Sequence, residues 1–297
     1  MTTNLPHYGG IALRNRGKKN YCYLHYGREL VHGHPNKLSI NAYAKGGWFV
    51  RNVMGGYGDN FKNFLNTIAS STSIMVDGRN PDADTGELLF HKSGDGWDAA
   101  SAREVGAYKD VEHERSMVLA GDLLIVLDRC VSETEHTYDW LYHTSLTRLS
   151  LDGALKEVET KRPGGSQLYE SFVPIGDVSK RSAVTFKRQD GSGVRIAFLN
   201  GDEIHAFKAL KKYDGLLWRK KGKTLSFAAV YWPFRPDEKG EVSIAALPLK
   251  DTGIAQGQAV KVNSPEGKFV VLVNYGGKEL QCDTFRSKER VSVFRAP

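Results

Sequence analysis

The dominant period along the chain is two. In Leu38-Ser39-Ile40-Asn41-Ala42-Tyr43-Ala44, apolar residues alternate with mostly polar ones, the pattern of a strand buried on one face. Residues 117–120 and 123–127 are apolar runs separated only by Gly121-Asp122, which has the turn chemistry of a β-hairpin. Tyr138-Asp139-Trp140-Leu141-Tyr142-His143 puts three aromatic side chains on one face. Further strands are expected at 11–14, 21–26, 184–187, 194–198, 225–231, 242–247 and 269–275. Turn clusters such as Asp77-Gly78-Arg79-Asn80-Pro81 and Asp190-Gly191-Ser192-Gly193 punctuate these runs. Helical periodicity is confined to one turn near 61–67. Many short strands with regular turns predict an all-β fold, a large antiparallel, supersandwich-like β-sandwich. Residues 1–297 are expected to share one core as a single domain, with a subdivision near 162–165 at Arg162-Pro163-Gly164-Gly165.

Composition narrows the partners. The chain has 297 residues, 40% hydrophobic and 25% charged, as expected of a soluble globular protein with a substantial core. A formal charge of +7 favours an anionic partner by sign, be it nucleic acid, acidic polysaccharide or membrane surface, and serves plain solubility equally well. The three cysteines, Cys22, Cys130 and Cys282, lie far apart with no CxxC pair. That spacing argues against a thiolate zinc site and predicts free buried thiols. No apolar run approaches the roughly 20 residues needed to span a bilayer, so no membrane partner is expected. The opening MTTNLPHYGG lacks the basic-then-apolar layout of a secretory signal.

The sharpest local feature is His32-Gly33-His34-Pro35-Asn36-Lys37, directly before the strand that starts near Leu38. In extended backbone, residues two apart point the same way, so both imidazoles can reach one site. Imidazole serves as metal ligand, general acid or base, or donor to a carboxylate; the plain alternative is a pair of surface-loop histidines. Next come Gly46-Gly47-Trp48-Phe49-Val50-Arg51-Asn52 and the Gly-rich Met54-Gly55-Gly56-Tyr57-Gly58-Asp59-Asn60. Glycines there either let backbone approach a ligand or simply form a connection. Elsewhere, the strand from His136 to Trp140 either stacks on sugar rings or belongs to the core, and core is the expectation. His113, between Glu112 and Glu114, either has a raised proton affinity or sits on an exposed strand of mixed charge. Trp218-Arg219-Lys220-Lys221-Gly222-Lys223 is the densest basic cluster, either a polyanion site or a solvated hairpin tip. No nucleic-acid motif accompanies it, so nucleic acid is not the expected partner. No G-x-S-x-G nucleophile elbow is present.

HYGRELVHGHPNKLSI resembles the segment that opens the C-terminal β-sandwich of heparinase II/III-type polysaccharide lyases, a group that includes alginate lyase-like and heparinase-like enzymes. The run from Asn66 through Ser71-Thr72-Ser73-Ile74-Met75-Val76-Asp77-Gly78 is similar to a later strand of that family ending in a V-D-G turn. His136-Thr137-Tyr138-Asp139-Trp140 with His143 is similar to its H-x-Y-D-W-x-x-H strand. These landmarks run in order from about residue 5 to 151, with a weaker likeness through 216–233.

The resemblance implies β-elimination on uronate-containing polysaccharides. Such chemistry must neutralise a carboxylate, remove the weakly acidic proton beside it and protonate the leaving glycosidic oxygen. In the family a helical toroid supplies a tyrosine and some of the His/Asn machinery, while the sandwich adds a histidine and substrate contacts. His32 is thereby implied as catalytic. His34, which matches a metal-ligating position in some members, is assigned to substrate binding with Arg51, Tyr57 and Asn60. Three departures stand out: Asn36 replaces a frequent Asp, Arg51-Asn52 occupies the place of another Asp, and Ser71-Thr72 replaces a His-Asn pair. No metal site of the family type and no cofactor is therefore expected. Arg51 offers instead a bidentate grip on a uronate carboxylate. No room for a toroid precedes Leu5, which leaves three readings: the end of a longer lyase, a sandwich completed by a partner chain, or a non-catalytic carbohydrate-binding or scaffolding module. Completed by the toroid, the chain would be a carbon–oxygen lyase that degrades polysaccharide, periplasmic or secreted; alone, it is expected to turn over little substrate.

Overall fold

In a computed structural model, residues 2–15, 19–27, 35, 37–53, 64–82, 84–144, 147–153, 172–199 and 203–296 are described. The subdivision expected near 162–165 lies outside them, as does part of the helical turn expected at 61–67, of which residues 64 and 65 are helical.

Strands β1 (Thr3–Leu5), β2 (Gly10–Leu13), β3 (Tyr21–His25), β4 (Ile40–Ala44) and β5 (Gly47–Val50) form an N-terminal antiparallel sheet in sequence order. The large sheet takes β6 (Ile74–Val76), β7 (Glu87–Gly94), β8 (Trp97–Tyr108), β9 (Val111–Ala120), β10 (Leu123–His143), β11 (Ser150–Leu151), β12 (Phe172–Asp177), β13 (Ala183–Lys187), β14 (Gly193–Phe198), β15 (Glu203–Ala209) and β16 (Tyr213–Phe234). A C-terminal sheet contains β17 (Ser243–Ala246), β18 (Gly257–Ser264), β19 (Gly267–Asn274) and β22 (Val291–Arg295), beside a small hairpin of β20 (Leu280–Cys282) and β21 (Phe285–Ser287). The all-β antiparallel sandwich expected from the period-two pattern is what the chain forms.

Alternation along the central hairpin sets the layers. Leu124 and Val126 pack with Ile11, Leu24, Ile40 and Phe49 of the N-terminal sheet. Their neighbours Leu123, Ile125 and Leu127 pack with Val260, Val262 and Val271 of the C-terminal sheet. The large sheet is thus buried on both faces, which is why the end of β9, 117–120, and the start of β10, 123–127, read as near-continuous apolar runs. Gly121-Asp122 does form the two-residue turn between them, with Leu123 opposite Ala120 and Gly121 at φ 62. Cys22, Cys130 and Cys282 are free and buried, as the spacing suggested.

Two elements differ from the sequence pattern. Residues 123–127 and 138–143 belong to one strand, β10, and 216–231 lies within its partner β16. The two pair from Leu124↔Tyr231 to His143↔Gly215, with an irregularity between Val131 and His136. Backbone pairing continues through the polar middle of both strands because ladder hydrogen bonds need no apolar side chains. A polar stretch in the centre of a long strand therefore looks like a loop in sequence.

If the large sheet is buried on both faces, Leu124→Ala and Ile125→Ala should each lower stability by about 2–5 kcal/mol in urea unfolding, although they point opposite ways. A near-neutral Ile125→Ala would remove the third layer from this architecture.

Candidate functional site

Of the residues singled out from the sequence, His32, His34, Tyr57 and Asn60 lie outside the described residues. The described residues define the ground from which those segments leave. Arg115 on β9 stands directly opposite Asp128 on β10, both fully buried on the face toward the N-terminal sheet. Arg115 Nε and Nη2 donate to the two Asp128 oxygens at 2.7 and 3.0 Å. His113 Nε2 (2.7 Å) and Trp140 Nε1 (3.2 Å) donate to the same carboxylate. Burial acts to raise the Asp128 pKa, but the Arg115 guanidinium and His113 hold it below the ordinary carboxylate value.

The second guanidinium nitrogen reaches across the layer. Arg115 Nη1 donates to the Leu38 carbonyl at 2.7 Å and to the Thr72 carbonyl at 3.0 Å. Leu38 takes a left-handed φ of 46, and Arg115 holds the carbonyl that this turn points inward. Asn52 ties in a third segment. Its side-chain amide donates to Ser39 Oγ at 3.1 Å, and its oxygen accepts the Thr72 N–H at 2.8 Å. The stem of the His-x-His segment, the Arg51-Asn52 pair and the Ser71-Thr72 pair thus converge on one buried clamp. These are the places where the lyase pattern carries functional residues. Here Asn52 and Thr72 act as structural ties.

Beside the stem lie two more buried ionisable groups. Lys37 is almost fully buried, and its Nζ donates to the Asp84 carbonyl. Glu104 is 1% exposed, and among the described residues neither carboxylate oxygen has a hydrogen-bond partner. Burial pushes its pKa up to about 7, Lys37 pulling it down and Asp84 pushing it up. Sequence reasoning missed Glu104. The available signal was its place on β8, in the same inward register as Ala100 and Ala102.

A third polar group sits on the Val76-Asp77-Gly78 turn. His136 Nδ1 lies 2.6 Å from Asp77 Oδ2 and its Nε2 lies 3.1 Å from Asp110 Oδ1. With a carboxylate oxygen at each nitrogen, the protonated ring can donate from both. Partial burial opposes that charge, yet the two carboxylates raise the His136 pKa above its ordinary value. The three residues line an open cleft of about 540 Å³ that also includes Arg79, Asn80 and Tyr108.

Other sequence expectations resolve plainly. Tyr138, Trp140 and Tyr142 are core, in T-shaped and tilted contact with Trp218, Tyr231 and Phe186, and do not form a sugar platform. His143 is buried, donates Nε2 to the Ala69 carbonyl at 2.8 Å, and is pushed by burial down to about 4. His113 is not on an exposed strand; it is buried and its pKa is lowered, because desolvation outweighs the Asp128 contact. The 218–223 cluster is mid-strand in β16 and not a hairpin tip. Trp218 is buried, Arg219 pairs with Asp139 at 2.7 Å and Lys221 with Glu135 at 2.9 Å. Arg51 is described: its guanidinium carbon lies 4.2 Å from the centre of the Trp48 ring. Among the described residues no group of three or more His, Cys, Asp or Glu could hold a metal ion.

The architecture defines the class first: an antiparallel β-sandwich built on a doubly buried sheet. Comparison with solved structures then finds this fold within longer proteins. A heparinase III superposes with a TM-score of 0.69 at 12% identity, over 92% of this chain and 42% of that one. A heparan sulfate lyase from Pedobacter heparinus superposes with a TM-score of 0.67 at 17% identity, over 93% of this chain and 42% of that one. The chain therefore has the fold of a part of these lyases and spans about two fifths of their length. No protein-family model matches the sequence, and no curated protein matches it.

Two pH effects follow. With its folded-state pKa raised from 4.5 to about 7, Glu104 keeps in the native state a proton that the unfolded chain has lost. Stability should fall as pH rises through that interval, by on the order of 3 kcal/mol. Glu104→Gln should flatten this slope in urea unfolding and exceed the parent in stability at mildly alkaline pH; a parent-like slope contradicts the assignment. His136 acts with the same direction for a different reason. Its raised pKa contributes stability that is complete below the ordinary value of 6.5 and is lost as pH rises through the folded-state value. His136→Gln should therefore lower the melting temperature more in mildly acidic than in alkaline buffer.

Proposed function

We propose that the chain is the sandwich part of a lyase that cleaves a uronate-containing acidic polysaccharide by β-elimination. His32 would act at the reacting proton, with His34, Arg51, Tyr57 and Asn60 around the substrate. The observation that carries this reading is the convergence of three sequence-distant segments, 37–39, 51–53 and 70–73, on the Arg115–Asp128 clamp. That clamp fixes the take-off point of the His-x-His segment in a fold shared with a heparinase III and a heparan sulfate lyase. Because those lyases are more than twice as long as the matched region, a helical toroid, on a longer chain or a partner chain, would supply the remaining acid–base groups. A second reading, a sandwich that binds acidic glycan without cleaving it, is favoured by the partly exposed aromatic rings of the N-terminal sheet.

The test is ultraviolet absorbance of the unsaturated uronate formed from a panel of acidic polysaccharides by the complete, toroid-containing protein. His32→Ala should reduce the rate about a hundredfold or more while changing retention on an acidic-glycan gel only modestly. Full activity in His32→Ala, or no product from the parent on any uronate polymer, would sink the lyase reading.

A further inference from the structure

The outer face of the N-terminal sheet carries a row of aromatic rings flanked by guanidinium groups. Tyr21 and Tyr43 face each other across β3 and β4, and Tyr43 faces Trp48 across β4 and β5. All three are partly exposed, whereas Cys22, Ala42 and Phe49 on the other face are core. The Tyr21 and Tyr43 rings are stacked at 6.0 Å, and Trp48 meets them edge-on at 5.4 and 5.7 Å. Strict alternation would put Trp48 and Arg51, three residues apart, on opposite faces. A bulge where Trp48 pairs with Tyr43 and Val50 with Ala42 inserts Phe49 and brings both side chains outward. Arg51 then lies over Trp48 at 4.2 Å, and Arg14 over Tyr21 at 5.9 Å.

The positive charge continues around the free edge of β5. Arg188 donates to the Trp48 carbonyl there and, with Arg148 and Lys187, lines an open cleft of about 710 Å³. Asp190 in that cleft accepts from Ser192, Lys187 pairs with Asp152 at 2.8 Å, and Arg188 is held in place by the Thr147 carbonyl and Ser192 Oγ as well. Aromatic faces take the C–H face of a pyranose, and guanidinium groups take carboxylate or sulfate. Both kinds of group stand side by side here.

We propose that this face is a binding surface for an acidic glycan that extends the substrate contact given above to Arg51, with pyranose rings on Trp48 and Tyr43 and their acidic groups against Arg51, Arg14 and the cleft beyond Trp48. It rests on the polysaccharide reading above and adds where the polymer is held. Single-stranded nucleic acid would stack its bases on the same ring faces, and competition between the two polymers distinguishes them.

Affinity electrophoresis of the chain in gels containing heparan sulfate, hyaluronan or a neutral dextran tests the proposal. The parent should be retarded by the two acidic glycans and not by dextran. Retardation by heparan sulfate alone would assign the contact to sulfate, and by both polymers to the carboxylate they share. Trp48→Ala should weaken retardation about tenfold or more, and Trp48→Phe should restore most of it, with melting temperatures confirming that both variants fold. Retardation of Trp48→Ala equal to the parent, or displacement of glycan by single-stranded DNA at lower concentration, overturns the proposal. His32→Ala separates the two claims. If only the lyase reading fails, the parent makes no product yet Trp48→Ala still loses retardation; if only this surface fails, product formation still depends on His32.

Discussion

The Arg115–Asp128 pair is the constraint from which the rest of the molecule is arranged. Two charges taken fully out of water carry a desolvation penalty of several kcal/mol each, which only near-ideal geometry offsets. Both conditions are met here. The pairing is bidentate, His113 and Trp140 occupy further Asp128 lone pairs, and Arg115 Nη1 donates to the Leu38 and Thr72 carbonyls. Those carbonyls belong to loop segments that no regular ladder serves. Without the guanidinium the Leu38 carbonyl would lose the donor that holds it and the Thr72 carbonyl would keep only the Ile40 N–H at 3.3 Å, so the pair organises the loops as much as it joins two strands.

Much of the fold was legible in the sequence, because burial on one face writes a period of two. The β9–β10 hairpin was readable down to its turn residues, since only two residues separate two apolar runs and the first is glycine. What escaped notice did so for physical reasons. The middle of β10 and β16 is polar because it runs past the core, so one long strand looked like two with a loop between. Arg115 and Asp128 become neighbours through hairpin register, which sequence spacing does not display. Trp48 and Arg51 share a face only because Phe49 is bulged, and a bulge is invisible to a parity argument. The His-x-His motif was legible as a motif; the described residues locate its stem at Lys37–Ser39 and identify what holds that stem.

Charge behaved differently from its density in the sequence. The richest basic run, 218–223, is largely committed to internal contacts: Arg219 with Asp139, Lys220 with the Ser226 carbonyl, Lys221 with Glu135. The sparser cations around β5 are engaged as well, Arg188 by the Thr147 and Trp48 carbonyls and Lys187 by Asp152, and differ from that run in the partly exposed aromatic rings beside Arg51 and Arg14. A count of charges along the chain therefore does not by itself rank the surfaces.

Glu104 and Asp128 show how donors decide the state of a buried carboxylate. Both are buried on the same layer of the large sheet, yet Asp128 is held below its ordinary pKa and Glu104 is pushed above. Asp128 has four donor hydrogens aimed at it, whereas neither Glu104 oxygen has any among the described residues. Burial alone thus fixes the sign only where hydrogen bonding is missing. A fold able to satisfy Asp128 so fully could have satisfied a second acid, and an apolar residue would have continued the Ala100–Ala102 register at no cost. The unsatisfied carboxylate stands beside Lys37, at the foot of the segment that bears His32 and His34. Stability is given up there, at a group that changes protonation near neutrality.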